Sequence, residues 1–273
     1  MTCEDPSFVA RQYRDASNLG ARITLHQRFS TNEQPWQRWV FDQFELPPAS
    51  RVLELGCGPG GLWVENLDRI PEGWSITTTD ASPGMLREAE DRLGSVRRFA
   101  FRVADAQEIP FGDHTFDAVV ANGMLYHVPD RNKAFSEIAR VLEPSGILYA
   151  ATNGEGHMRE TGWMKHILDP AHPADIATKQ PLGFDLENGT EQLSPWFREL
   201  SVRRYEDALV VTETKPLVDY LLSGAAADAA ERESEADEFR RRVAELTDHL
   251  ERELASRGEI RITKDTGLFF AHK

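Results

Sequence analysis

Between Arg51 and Trp63 the chain reads RVLELGCGPGGLW, an apolar run that breaks into closely spaced glycines. Val52, Leu53 and Leu55 have the character of a buried strand, followed by Gly56, Cys57, Gly58, Pro59, Gly60 and Gly61. Glycine permits positive φ and lets main chain approach a ligand without a Cβ in the way. A helix starting near Gly61 would add the free N–H groups of its first turn. Strand, glycine turn and helix in that order is how a parallel α/β sheet presents backbone to a ligand. Two carboxylates flank the turn. Glu54 precedes the first glycine, and Asp80 closes SITTTD, where a second strand would offer a carboxylate to ribose hydroxyls. Cys57 reads as a small residue filling a tight space rather than as a reactive thiol.

Gly56-x-Gly58-x-x-Gly61 also satisfies the dinucleotide fingerprint, so the glycines alone leave a dehydrogenase open. The neighbouring residues separate the two. Glu54 is awkward beside a pyrophosphate but natural beside a ligand carrying ammonium and sulfonium charge. Asp105, in VADAQEIPF, comes after the third strand and is placed to receive an amino group such as adenine N6.

The blocks ELGCGPG, TTDASPGML, VADAQEIPF, FDAVVANGMLYHVPD and ARVLEPSGILYAATN resemble, in kind and order, a class I S-adenosylmethionine-dependent methyltransferase. They look most like the small-molecule branch that includes the ubiquinone/menaquinone C-methyltransferases. The resemblance covers roughly residues 50 to 153. It implies S-adenosylmethionine as cofactor and S-adenosylhomocysteine as product. It also implies an α/β fold: a Rossmann-like seven-stranded sheet, mostly parallel, whose last strand is antiparallel beside the fifth, with N-terminal helices and a lid inserted after strand 5. The closing GLFFAHK suits that last strand. Cofactor contacts are implied for Glu54, Gly56, Cys57, Gly58, Gly60, Asp80, Ala81, Met85, Asp105, Ala106 and Asn122, with Met85 beneath the adenosine.

The acceptor side is read from the residues at the carboxyl ends of the later strands. FDAVVA (116–121) is the fourth strand, and Asn122, Gly123, Met124, Leu125, Tyr126 and His127 emerge at its carboxyl end. No extended proline-aromatic motif of the nitrogen-directed DNA and protein enzymes stands at Asn122. His127 is a candidate pocket group, with packing beside the cofactor as the plainer reading. After the fifth strand (147–151) come Asn153, His157 and Arg159, and His157 is the leading candidate proton acceptor. Tyr13 could supply a phenol from the N-terminal helices, which in this family close over the site. Arg22, His26 and Arg28 are candidates for pocket or subunit contacts, with a solvated helical face as the plainer reading of each. Residues 162–200 hold Trp163, Phe184, Trp196 and Phe197 among turn residues and read as the acceptor lid. His157, His166 and His172 lack tight metal-ligand spacing, so no metal is expected.

These readings divide the chain into four parts: residues 1–50, a helical segment over the site; 51–161, the cofactor-binding core; 162–200, the lid; and 201–273, the rest of the sheet with a long helix. In more detail, strands are expected at 202–212, 259–263 and 267–273, and helices at 7–17, 21–29, 62–69, 215–222 and 226–257, besides one that begins near Pro35. Trp36 and Trp39 are read there as core. Pro144-Ser145-Gly146 is read as a turn.

The net charge of -14 over 273 residues argues against general nucleic-acid binding, which needs a basic face. Two cysteines, Cys3 and Cys57, make neither a disulfide framework nor a metal cluster, and the opening residues carry no secretory pattern. A cytoplasmic protein is expected, without membrane insertion, with the N-terminal helices and the helix from Ala226 as interfaces of a homo-oligomer. The activity expected is methyl transfer to a mid-sized, partly apolar small-molecule acceptor in specialised metabolism, at carbon or oxygen. The alternatives are a cyclase that uses the sulfonium as a fixed charge, methylation coupled to cyclisation, or a non-catalytic scaffold.

Overall fold

A computed structural model describes residues 17–171, 183–229 and 236–273. Tyr13, the helix expected at 7–17 up to Ala16, and His172 lie outside the described residues. Seven strands form one sheet in the order β3-β2-β1-β4-β5-β7-β6. In chain order they are β1 (Arg51–Leu55), β2 (Ser75–Asp80), β3 (Phe99–Val103), β4 (Phe116–Asn122), β5 (Leu142–Asn153), β6 (Arg198–Val211) and β7 (Ile260–His272). Only β7 runs against its neighbours, pairing antiparallel with both β5 and β6.

The sequence of the central strands explains why both faces are covered. Along β4, Phe116, Val119 and Ala121 enter one core, while Ala118 and Val120 enter the other. β5 does the same, with Leu148 and Ala150 on one face and Ile147, Tyr149 and Ala151 on the opposite face. A strand apolar on both sides of its pleat belongs in the middle of a sheet with helices on each face. Helix Arg131–Val141 covers the first face, together with Phe184, Leu193 and Phe197. Helix Trp36–Asp42, Trp63 and Trp74 cover the second.

The strand order reverses between β1 and β4, and the crevice outside the carboxyl ends of such strands is where open α/β sheets take ligands. Beyond this core β6 and β7 continue as a two-stranded arm. Their pairing runs on from Glu206↔Asp265 to Val211↔Ile260, after β5 has ended at Asn153↔Thr266. Leu209, Val211, Ile260 and Ile262 on that arm gather a third core from helices Ser17–Phe29, Gly162–Leu168, Thr214–Ala229 and Ala236–Arg257. This helical cap stands at the same edge of the sheet as the crevice.

Several element boundaries differ from expectation. The two strands expected at 259–263 and 267–273 are one, because the polar residues between them are paired on β6 (Asp207↔Lys264, Glu206↔Asp265). Pro144-Ser145-Gly146 is a break in register inside β5 rather than a turn before it. The helix after the glycine turn is only Gly61–Val64. The helix expected at 215–222 continues to Ala229, so the long helix begins at Ala236 within the described residues. No helix of the described residues is long and apolar enough to cross a membrane.

Candidate functional site

The glycine turn leaves β1 with three residues at positive φ, and each glycine is required for a different reason. At Gly56 (φ 64) an added Cβ would lie 2.8 Å from Cβ and Cγ of Met124. At Gly60 (φ 74) it would lie 2.8 Å from Leu93 Cδ1, where the turn packs on helix Pro83–Leu93. At Gly58 (φ 53) it would meet nothing within 4 Å. The first and third glycines are fixed by packing, while the second faces open space. Gly56→Ala is therefore expected to destabilise the fold by about 2–4 kcal/mol, summing left-handed strain and overpacking. Gly58→Ala should lose only about 1–2 kcal/mol of stability from strain while obstructing whatever the turn binds. Urea denaturation and calorimetric titration with S-adenosylmethionine, run on both variants, separate the two effects.

Asp80 spans the turn from the end of β2. One carboxylate oxygen accepts from Gly58 N–H at 2.9 Å and the other from Ser82 N–H at 2.8 Å. Burial pushes its pKa up, against those two backbone donors. Glu54 lies beneath the turn, 2 % exposed, and Trp63 Nε1 donates to it at 2.6 Å. Its pKa is pushed up to about 8, first by burial and further by Asp80, with the Trp63 bond opposing. A buried and a half-buried carboxylate within each other's field are arranged for positive charge. Cys57 is buried, and burial with the nearby Glu54 and Asp80 drives its thiol far above the ordinary range, so it packs as a small apolar residue.

The other expected cofactor residues follow the ends of β2, β3 and β4. Ser82 Oγ accepts from Met85 N–H at 3.3 Å, capping the helix that Pro83 begins and placing Met85 1 % exposed. Ala81 is exposed at the head of that helix. Asp105 is exposed after β3, its carboxylate held by the backbone and side-chain N–H groups of Gln107, while Ala106 is buried. Asn122 ends β4, its side chain accepting from Trp36 Nε1 at 3.1 Å and donating to Gln37 Oε1 at 2.8 Å. Trp36 and Gln37 were not legible as site residues, since helical spacing puts Trp36 with the core aromatics. The ring of Trp36 also meets Tyr205 of β6 edge-on at 5.2 Å.

On the acceptor side His127 sits in the short turn Leu125–His127, its ring against Tyr126 at 4.5 Å. His157 lies in the loop after β5. That loop hugs β7 so closely that a Cβ on Gly154 would fall 2.2 Å from an Asp265 carboxylate oxygen. Asp265 N–H donates to His157 Nδ1 at 3.3 Å. Thr266 Oγ1, which donates to Asn153 Oδ1 at 3.1 Å, lies at the same 3.3 Å from Nδ1. Arg159 is largely exposed and pairs with Glu160 at 3.1 Å. Phe184 and Phe197, expected in a lid, are buried in the core against the first face of the sheet.

His26, expected on a solvated face, has its Nδ1 buried with no hydrogen-bond partner among the described residues. Asp207 and Lys264 form a buried ion pair at 2.7 Å with side chains 0 % and 8 % exposed. Their signal was in the alternation of β6. Tyr205, Asp207, Leu209 and Val211 share one face, and a charge among three buried residues needs a partner.

Strand order, reversed last strand and a glycine turn between two carboxylates define a class I S-adenosylmethionine-dependent methyltransferase fold. Residues 53–150 match the model of a family described as a methyltransferase domain. A malonyl-[acyl-carrier protein] O-methyltransferase of Geobacter sulfurreducens is 36% identical over 111 residues, 41% of this chain and 41% of that protein. A ubiquinone/menaquinone biosynthesis C-methyltransferase of Desulfotalea psychrophila is 34% identical over 130 residues, 47% of this chain and 52% of that protein. The chain thus spans about half the length or less of these curated relatives. Among solved structures, a phosphoethanolamine N-methyltransferase of Haemonchus contortus, in complex with S-adenosylmethionine, shares the fold. Its TM-score is 0.60 at 21% identity, covering 100% of this chain and 60% of that one.

The residues present fit that cofactor. Gly58 leaves the room a close-lying ligand needs, and Glu54 and Asp80 offer carboxylates to an ammonium group and to ribose hydroxyls. A dinucleotide would instead bring its pyrophosphate near the Glu54 carboxylate, whereas Asp80 would suit the ribose of either ligand.

Proposed function

We propose that the protein transfers a methyl group from S-adenosylmethionine to a mid-sized, partly apolar small molecule in specialised metabolism, at oxygen or carbon. The observation that carries this reading is the turn itself: Gly58 open above it, Asp80 across it and Glu54 buried below it. When bound, the cofactor supplies a methyl group already activated on a sulfonium. The polypeptide then has to bring the acceptor atom within about 3 Å, align it and exclude water. Glu54, Gly56, Cys57, Gly58, Gly60, Asp80, Ala81, Met85, Asp105, Ala106 and Asn122 would hold the cofactor. The helical cap would close over the acceptor, with segment 162–200 contributing helix Gly162–Leu168 to it. His127 and His157 stand on the acceptor side as polar contacts. The acidic balance and the two cysteines support a small-molecule acceptor and a cytoplasmic setting.

Calorimetric titration with S-adenosylmethionine, S-adenosylhomocysteine and NAD tests the reading. Both sulfur nucleotides are expected to bind and NAD is not. Asp80→Ala should weaken binding by at least about tenfold, since a hydrogen bond to a charged group contributes roughly 1.5–3 kcal/mol. Binding of NAD alone would replace this reading with a dehydrogenase. With an acceptor in hand, a mass gain of one methyl and release of S-adenosylhomocysteine separate transfer from cyclisation, which consumes no cofactor.

A further inference from the structure

Glu54 and Asp80 make the glycine turn one-sided. They suit the ammonium group and the ribose of the cofactor, but its amino-acid tail also ends in a carboxylate, which needs N–H donors. Helix Trp36–Asp42 brings such donors to the turn. Asn66, 0 % exposed, ties the two together: its Nδ2 donates to Gln37 O at 3.0 Å and to Leu62 O at 2.8 Å. The Gln37 side chain then reaches the turn itself, with Nε2 3.6 Å from the place a Cβ on Gly61 would take.

The direction of that amide is set by a group that can only donate. The Trp36 indole N–H has no lone pair to offer, so the Asn122 atom 3.1 Å from Nε1 is the oxygen. Asn122 therefore turns its nitrogen towards Gln37, and the atom it meets at 2.8 Å is Oε1. That leaves the Gln37 nitrogen, with its two N–H groups, on the side of Gly61. The indole is itself held, stacked on Trp39 at 5.3 Å and edge-on to Tyr205 at 5.2 Å. Leu55 of β1 pairs with Ala121, one residue before Asn122, so this row stands at the crevice where the strand order reverses.

We propose that Gln37 binds the carboxylate of the cofactor's amino-acid tail, and that Asn122, fixed by Trp36, is the residue that positions it. The proposal rests on the methyltransferase reading and assigns the two charges of the tail to two elements. The ammonium goes to Glu54 below the turn, and the carboxylate goes to Gln37 beside it. A neutral donor does this without competing with the ammonium for Glu54, as a lysine or arginine in its place would.

Two ligands test this by calorimetry on the full chain: S-adenosylhomocysteine and decarboxylated S-adenosylhomocysteine, which differ only in the carboxylate. Glu54 and Asp80 on their own favour the decarboxylated ligand, which carries the greater positive charge, so the opposite preference needs a donor. In the wild type S-adenosylhomocysteine is expected to bind about tenfold tighter, roughly one hydrogen bond to a charged group. It should also move the Gln37 side-chain amide resonances in nitrogen-15 spectra, which the decarboxylated ligand should leave in place. Gln37→Met, similar in length and without donors, should bring the two affinities to about the same value, and Asn122→Ala should lower their ratio about threefold. A merely structural role for either residue would weaken both ligands together and leave the ratio unchanged. The assignment is overturned if the wild type binds both ligands equally, if Gln37→Met keeps the wild-type ratio, or if the Gln37 resonances respond equally to both. An unchanged ratio in Asn122→Ala overturns the positioning role. Should the variants fail to fold, the wild-type ratio and resonances still decide. Failure of both ligands to bind overturns the methyltransferase reading and this assignment with it, whereas equal binding of both overturns this assignment alone.

Discussion

Asp207→Ala is expected to destabilise the fold by about 3–5 kcal/mol, the range found when one partner of a buried ion pair is removed. The Asp207 carboxylate is a dense polar junction between the segment after helix Ser17–Phe29 and the β6–β7 arm. Lys264 Nζ pairs with one oxygen at 2.7 Å, and Ser30 Oγ donates to the same oxygen at 2.7 Å. Thr31 N–H at 2.9 Å and Asn32 N–H at 3.0 Å donate to the other. Deleting it strands a buried ammonium and frees the segment that joins helix Ser17–Phe29 to the sheet. Urea denaturation followed by circular dichroism reads the loss. A double variant, Asp207→Asn with Lys264→Met, should recover most of it, because no charge is then left unpaired. If Asp207→Ala unfolds at the same urea concentration as the wild type, the pair does not hold the cap to the sheet.

The pH dependence of that difference has a definite sign. Burial raises the Asp207 pKa, but the bonds from Lys264 and Ser30 outweigh it and the net shift is downward. A carboxylate depressed in the folded state contributes stability above its unfolded value. That contribution is lost as pH falls through the lower folded value. The gap between wild type and Asp207→Ala should be full at neutral pH and narrow only in acid, below about pH 4.

Where sequence and structure agree, the physics is local. Val52, Leu53 and Leu55 announce a strand covered on both faces, and the glycines after them announce a turn that needs positive φ. Ser82 with Pro83 announces a capped helix, and Asp80 is placed by the strand before it. None of these inferences needs a partner distant in sequence. His26 is different. Its helix, SNLGARITLHQRF, has no clean apolar stripe, and the half-buried ring meets Tyr220 edge-on from about two hundred residues away. Trp36 looks like its neighbours on a packed helix until β4 brings Asn122 beside its indole N–H. Lys264, Asp265 and Thr266 look like a break between strands because their cross-strand partners, Asp207, Glu206 and Tyr205, lie far back in the chain. Phe184 and Phe197 have the composition of a lid, and only the tilted ring contacts of Phe184 with Phe135 and Phe269 and the packing of both residues in the core show that they complete it. The cofactor half is therefore readable from motifs, whereas the acceptor half is assembled from long-range pairings.

S-Adenosylmethionine is expected to bind roughly 50-fold more weakly at pH 6 than at pH 8. Glu54 has its pKa pushed up to about 8, first by burial, so the unliganded protein holds it mostly neutral at pH 7. A cationic ligand group needs the carboxylate ionised, and apparent affinity scales with the fraction in the competent state. With a pKa near 8 that fraction is about one half at pH 8 and about one hundredth at pH 6. S-Adenosylhomocysteine, which keeps the ammonium but not the sulfonium, should show the same dependence if the ammonium is the partner. Calorimetry in buffers of different ionisation enthalpy should find about one proton released per ligand bound below pH 8. For stability the sign reverses. An acid raised in the folded state contributes stability below its unfolded pKa, and this is lost as pH rises through about 8. Glu54→Gln retains an acceptor for the Trp63 N–H, so it should be at least as stable as the unliganded wild type at pH 8.5. It should also bind cofactor weakly and without pH dependence. Binding by the wild type that is flat from pH 6 to 8 would mean that Glu54 serves only as the buried partner of Trp63, leaving Asp80 and the backbone of the turn to hold the cofactor.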